Sequence, residues 1–275
     1  MADKPIIALP RGEFDARSLA LADQEQLNGW PDVSTFNTDL QPAGGAPIYQ
    51  AVGGVGTPWS DTLPAVRMDN QPANDRFGAN ANIGQVGNAF TLFAVAQATD
   101  VAGSGMAFWG SLDGTEIAGG GPFGIYLFIT KLGEAGLVIG APFVTYLRSA
   151  PGLVSAGDRF IITARRIDFP QNVGNTSGPC ILRVNGVEVS SSSGSGWNVL
   201  TPGRRIGRCN LQSTLSFPGE IEGDDGLYAH LLSYGSAASD EEILQMEAFL
   251  QEVWFEPIPV WAPSNVPAGS VWTPS

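Results

Sequence analysis

The sequence predicts an all-β fold, a two-sheet antiparallel β-sandwich closed by one short C-terminal helix. Three observations predict it. Short runs of strand-forming residues recur through the chain, separated by turn clusters. The 275 residues include 35 glycines and 20 prolines with no three-residue period, which suits many turns and excludes collagen and long helices. Only one segment, near the end, carries a helix start signal followed by helical apolar spacing. No repeat of fixed period is visible, which argues against a propeller or solenoid.

Composition narrows the function classes. With 43% hydrophobic and 15% charged residues, the chain can bury a sizeable core. The 27 acidic and 14 basic residues leave a net charge of −13 with no basic stripe, so phosphate backbones are repelled and nucleic acid is excluded as partner. The opening MADKPIIALPRGEFDARS lacks the apolar core of a signal peptide, and no apolar run is long enough to span a bilayer. The expectation is a chain made in a cytoplasm that leaves, if at all, by a route such as assembly into a virus particle. Cys180 and Cys209 are too few for a disulfide scaffold and read as buried thiols, with a bridge open if their strands are neighbours.

Taken in order, residues 1–12 read as an extended arm in which Pro5 and Pro10 bracket Ile6, Ile7, Ala8 and Leu9. Residues 13–255 read as the sandwich. Its expected strands are Ala65–Met68, Phe90–Ala98, Met106–Ser111, Ile125–Thr130, Arg159–Ile167, Ile181–Val184, Val187–Ser190, Thr214–Ile221 and Leu227–Tyr234. Asn185-Gly186 supplies the two positive-φ residues of a type I′ turn between ILRV and VEV, which is a hairpin. Ser239 with Glu242 forms a capping box, and Ile243, Met246, Leu250 and Val253/Trp254 continue one apolar stripe until Pro257 stops the helix. Residues 256–275 form a tail whose many prolines forbid a helix or central strand, and whose Trp261 and Trp272 need cover on this domain or a partner.

Two segments carry a family resemblance. Residues 14–41, with Asp15-Ala16, Leu19, Trp30, Asp32 and Ser34, resemble the entry segment of laminin-G-type domains in the concanavalin A-like lectin/glucanase superfamily. Residues 217–254 resemble the closing segment of that family through Gly219, Ile221, Tyr234, Ser239, Asp240, Glu242, Phe249, Leu250 and Trp254. Between them, Val66-Arg67-Met68-Asp69 matches a central strand, with Asn70 where the family has Gly. The chain departs from the pattern at Gly223-Asp224-Asp225-Gly226, an expected bulge or insertion, and at Gly235-Ser236-Ala237-Ala238. The resemblance implies a jelly roll of the kind found in bacteriophage virion proteins.

Glucanases of this fold need paired carboxylates on one strand face. The nearest candidate, Glu220-Ile221-Glu222-Gly223-Asp224-Asp225, lacks their spacing and reads as solvent-facing acids. His230, the only histidine, rules out multi-histidine metal sites and reads as an ordinary strand histidine. The glycine run Gly119–Gly124 precedes a strand and reads as a turn, not a nucleotide loop. The sequon Asn175-Thr176-Ser177 carries no weight without export. The family often holds calcium, and Asp32, Asp69, Asp224 and Asp225 offer oxygens, yet no spacing supports a cage, so no cofactor is expected. Glycan binding needs an exposed aromatic platform beside polar groups, for which Trp59 and Trp197 are the candidates, whereas Trp30 reads as core and Trp109 sits in a strand.

The reading is therefore a non-enzymatic structural and adhesion protein on the surface of a phage-like virion, as capsid decoration, head fibre or tail-associated subunit. Other virion subunits or further copies of the chain are its expected partners, gripped through Ile6, Ile7, Leu9, Trp261 and Trp272, with host surface glycans as possible ligands and no membrane contact. The alternative is a carbohydrate-binding module of a cell-surface or secreted protein. A glycan-cleaving enzyme ranks last.

Overall fold

The structure is a computed structural model that describes residues 4, 5, 7, 10–37, 39–45, 47–52, 63–69, 76–78, 89–99, 105–110, 125–139, 145–167, 179–192 and 226–255. β1 (Pro10–Asp15) runs into a single 3-10 turn (Ala16–Ser18). Then come β2 (Gln41–Gly44), β3 (Ile48–Gln50), β4 (Ala65–Met68), β5 (Arg76–Gly78), β6 (Phe90–Ala98) and β7 (Met106–Gly110). They are followed by β8 (Ile125–Ile129), β9 (Ala135–Ile139), β10 (Thr145–Arg148), β11 (Arg159–Arg166), β12 (Cys180–Val184), β13 (Val187–Ser192) and β14 (Gly226–Tyr234). Helix α1 (Asp240–Trp254) ends the described chain.

The strands form an antiparallel two-sheet sandwich. The larger sheet runs β13-β12-β11-β6-β14-β4-β3, and the smaller runs β10-β9-β8-β7, with β2 and β5 as a separate ribbon. β14 organises the large sheet. One of its edges pairs with β6, from Gly226↔Ala98 to Tyr234↔Thr91. The other edge is shared by β4, through Gly226↔Met68, and by β1, through Pro10↔Tyr234 and Asp15↔His230. All nine residues of β14 are buried, because its two faces are both covered.

The inner cover is the second sheet. Phe108 of β7 meets Phe160 of β11 edge-on at 5.9 Å and Tyr228 of β14 at 5.8 Å, and the Tyr228 hydroxyl donates to the Ala107 carbonyl at 3.2 Å. β14 enters this interface with Gly226 because a Cβ there would lie 2.1 Å from Met106 Cε and 2.9 Å from the Gln97 carbonyl. β12 shows the resulting alternation: Cys180, Leu182 and Val184 are buried, while Ile181 and Arg183 are half-buried and face the other way.

The outer cover is α1. Its capping box forms as the sequence predicts, with Ser239 N donating to Glu242 Oε2 at 2.6 Å and Glu242 N to Ser239 Oγ at 3.2 Å. The stripe Ile243, Met246, Leu250 and Trp254 is buried, joined by Phe249 and, against expectation for an acid, Glu247. Glu247 fastens the helix down. It accepts from Thr163 Oγ1 of β11 at 2.8 Å and from Arg183 Nε and Nη2 of β12 at 3.0 and 3.1 Å. At the helix start Arg165 pairs with Asp240 at 2.6 Å and donates to the Ala238 carbonyl.

The Asn185-Gly186 turn has φ of 49° and 80°, as a type I′ hairpin requires. It also hooks onto β11, with Asn185 Oδ1 accepting from Ile161 N at 2.9 Å. Trp30 lies in the core as expected, and Trp109 of β7 is buried there too. The expected arm over 1–12 needs correction at its inner end. Pro10–Gly12 already belong to β1, and Ile7, offered as a contact for a neighbour, is 5% exposed within this chain's own core. A short apolar run bracketed by prolines gives no periodicity that separates docking on its own domain from docking on another. The expected strand Thr214–Ile221 lies outside the described residues, as do Ile6 and Leu9. Among the described residues no helix is long and apolar enough to cross a membrane.

Candidate functional site

An acid and a histidine meet beneath α1, and they are sealed. β1 turns Glu13 and Asp15 outward and Phe14 inward, where Phe14 packs edge-on against Trp30 at 6.2 Å. His230, opposite Asp15 in β14, is 1% exposed. Its Nε2 lies 3.2 Å from Glu13 Oε1, and its Nδ1 lies 3.0 Å from the Trp254 indole nitrogen. An indole N–H can only donate, so Nδ1 must accept, and Nε2 carries the proton that reaches Glu13. Both imidazole nitrogens are engaged.

The surrounding charges complete a clamp. Burial pushes the Glu13 carboxyl up, but hydrogen bonds and electrostatic attraction from His230 and Lys4 together outweigh it and hold the group at about 2, down from 4.5. Arg17 grips both oxygens of Asp15 and lays its guanidinium 5.0 Å over the Trp254 ring. Burial, with the Glu13 charge adding to it, raises the Tyr234 phenol. Both residues are buried, Glu13 at 8% and His230 at 1% exposure. The expectation of a plain strand histidine thus understated its role, which is to join β1, β14 and α1.

Solvent-facing chemistry sits at the opposite edge of β1. Trp30 and Leu40 exchange backbone hydrogen bonds at 2.8 and 2.9 Å, which closes the loop over 31–39. Asp32, buried, accepts from Glu13 N at 2.9 Å and Ser34 N at 2.8 Å, and Asp39 accepts from Asp32 N at 3.0 Å. Val33 N donates to the Glu13 carbonyl, so the loop also covers the edge of β1. Ser34 Oγ accepts from Phe36 N at 3.2 Å, and Asn37 takes φ of 48° to complete the turn. This scaffold holds out Val33, 47% exposed, and Phe36, 45% exposed. The Arg11 guanidinium carbon lies 4.5 Å from the Phe36 ring centroid. Phe36 is the one exposed aromatic among the large apolar side chains of the described residues.

The registers place this shelf at one end of the sandwich. Pro10 pairs with Tyr234, Tyr234 with Thr91, Phe90 with Arg166, Arg166 with Cys180, and Cys180 with Ser192, so all these strand ends lie together. The Arg11 guanidinium thus lies over the Phe36 ring as a cation–π pair that ties the loop to β1. Sequence reading passed over Phe36 because a single Phe in a polar loop has no periodicity. The available signal was Asp32-x-Ser34, a turn-forming pair that rigidifies its loop.

The predicted aromatic candidates Trp59 and Trp197 lie outside the described residues, as do Trp261, Trp272, Cys209 and the acidic run Glu220–Asp225. Of the loop carboxylates weighed for calcium, Asp32 serves backbone amides and Asp69 pairs with Arg67 at 2.8 Å. Cys180 is a buried thiol, pushed up to about 12 by burial against the lowering charges of Arg166 and Arg165.

No protein-family model matches the sequence, and no curated protein sequence does either. Solved structures do match in fold. Domain 4 of AbnA, a GH43 extracellular arabinanase from Geobacillus stearothermophilus, in complex with arabinotriose, is 15% identical with a TM-score of 0.56, covering 87% of this chain and 98% of that one. The binding domain of Paraclostridial Mosquitocidal Protein 1 is 11% identical with a TM-score of 0.56, over 89% of this chain and 53% of that one. The binding domain of Botulinum Neurotoxin DC in complex with SialylT is 8% identical with a TM-score of 0.53, over 83% of this chain and 51% of that one. The chain thus spans about half the length of the toxin binding domains and nearly all of the arabinanase domain.

Proposed function

We propose that the chain is a non-enzymatic glycan-binding β-sandwich that serves as an adhesion block of a phage-like particle. The observation that carries the binding reading is the fold shared over nearly the whole of an arabinanase domain whose structure holds arabinotriose. Support for a non-enzymatic role comes from the Glu13–His230 pair, which is closed to solvent and has both imidazole nitrogens engaged. Loops and termini are then the surfaces left to specialise.

In the particle, the tail over 256–275 with Trp261 and Trp272, together with Ile6 and Leu9, buries apolar surface on neighbouring subunits or further copies. The matched arabinanase domain belongs to an extracellular enzyme, which favours a second reading as a carbohydrate-binding module attached to a secreted or cell-surface protein. A glycan array probed with the full chain tests the binding shared by both readings, and silence across the array refutes it. Deleting 257–275 separates them: the particle reading requires loss of incorporation with the sandwich still folded, and normal incorporation contradicts it.

A further inference from the structure

We infer that Asn28 is a self-modification site, where the folded chain slowly turns asparagine into aspartate and isoaspartate, and that the hairpin turn shields Asn185 from the same reaction. The inference is independent of the glycan reading. The chain has two Asn-Gly steps, Asn28-Gly29 and Asn185-Gly186. Asparagine is thermally labile, most of all before glycine, because no Cβ hinders the approach of the glycine nitrogen. That nitrogen gives up its proton and attacks Asn Cγ, the Cγ–Nδ2 bond breaks, and ammonia leaves carrying the proton. Water then opens the resulting succinimide, at Cγ to give aspartate or at the main-chain carbonyl carbon to give isoaspartate. Nothing is oxidised or reduced, and water is the one co-reactant.

The two steps sit in opposite settings. Asn28 is exposed, in a bend between the Gln26↔Ile48 and Trp30↔Leu40 bridges. Its neighbours are pinned, with Leu27 N donating to the Pro47 carbonyl and Trp30 N to the Leu40 carbonyl, both at 2.8 Å. Among the described residues, neither the Asn28 side chain nor the Gly29 N–H has a hydrogen-bond partner. Packing retains the labile pair, because a Cβ at Gly29 would lie 3.2 Å from Gln41 Nε2 and 3.3 Å from the Leu40 carbonyl oxygen. Asn185 is tied instead. Its Oδ1 accepts from Ile161 N at 2.9 Å, and its own N–H donates to the Ile161 carbonyl at 2.9 Å. A type I′ turn sets ψ of its first central residue at roughly +30°, which swings the following nitrogen nearly anti to Cβ and away from Cγ. The ring therefore closes at Asn185 only after the hairpin opens. At position 28 the isoaspartate product lengthens the main chain by a carbon between the two bridges, and so loosens the segment that covers the outer edge of β3.

Peptide mapping by mass spectrometry tests this on the full chain, incubated at physiological temperature and mildly alkaline pH, both folded and in guanidinium. In the folded chain Asn28 is expected to convert and Asn185 to lag it by ~10-fold or more, since Asn185 reacts only from the opened hairpin. In guanidinium the two sites are expected to convert at like rates. An Asn28 that stays intact in the folded chain, or an Asn185 that converts there as fast as Asn28, overturns the inference. A lag of Asn185 that persists in guanidinium would trace the difference to local sequence, and overturns the shielding by the turn.

Discussion

The indole N–H of Trp254, the last residue of α1, donates to Nδ1 of His230 in β14 across 3.0 Å, and the rings stand edge-on at 5.8 Å between centroids. That bond fixes the tautomer that lets His230 donate to Glu13, so the helix end, the central strand and β1 are held by one chain of donors and acceptors.

Trp254→Phe should retain most of the apolar packing while leaving His230 Nδ1 buried and unsatisfied. The expected loss is about 1–3 kcal/mol in urea unfolding. An unchanged midpoint would mean that the bond contributes nothing.

The Glu13 carboxyl gives a pH signature. Its value of about 2 lies below its ordinary 4.5, so between these values the unfolded chain binds the proton more readily than the folded one. The contribution is complete above about pH 5 and falls as the pH drops toward 2, with an upper bound of about 3 kcal/mol. Unfolding free energy measured against pH should decline through this window, and more gently in Glu13→Gln. Parallel curves for the two proteins would contradict the assignment.

Cys180, with its thiol near 12, should resist a thiol-directed reagent in the folded protein and react after denaturation. The measurement is made on a Cys209→Ser background. Fast labelling under native conditions would refute the burial.

Gly133→Ala should destabilise the β8–β9 turn. Gly133 has φ of +70°, and a Cβ would sit 2.1 Å from the Val154 carbonyl oxygen, a backbone atom that cannot swing aside. A loss of about 2 kcal/mol or more is expected, read as a lower thermal midpoint.

Strands with several β-branched or aromatic residues were legible in the sequence: β6, β11 and β14 fall where periodicity puts them, as do the Asn185-Gly186 hairpin and the capped helix. β1, PRGEFD, was not, because a proline, a glycine and three charges mask it. It is a strand because β14 offers an edge and because Glu13 and Asp15 find partners under α1. β3 and β10 are three and four residues long, too short for alternation to stand out. Glu247 shows the same limit on a helix, since an acid in the buried stripe makes sense only once Thr163 and Arg183 are seen beneath it. The Arg11–Phe36 contact was equally illegible, because only tertiary structure brings the guanidinium over that ring.

The central claim is that this sandwich holds a glycan and leaves it intact. Equilibrium dialysis of the full chain against oligosaccharides that score on the array, followed by mass analysis of the recovered sugar, tests it most directly. Saturable retention with every glycosidic bond preserved is the predicted result; shortened products, or no retention at any concentration, would contradict it.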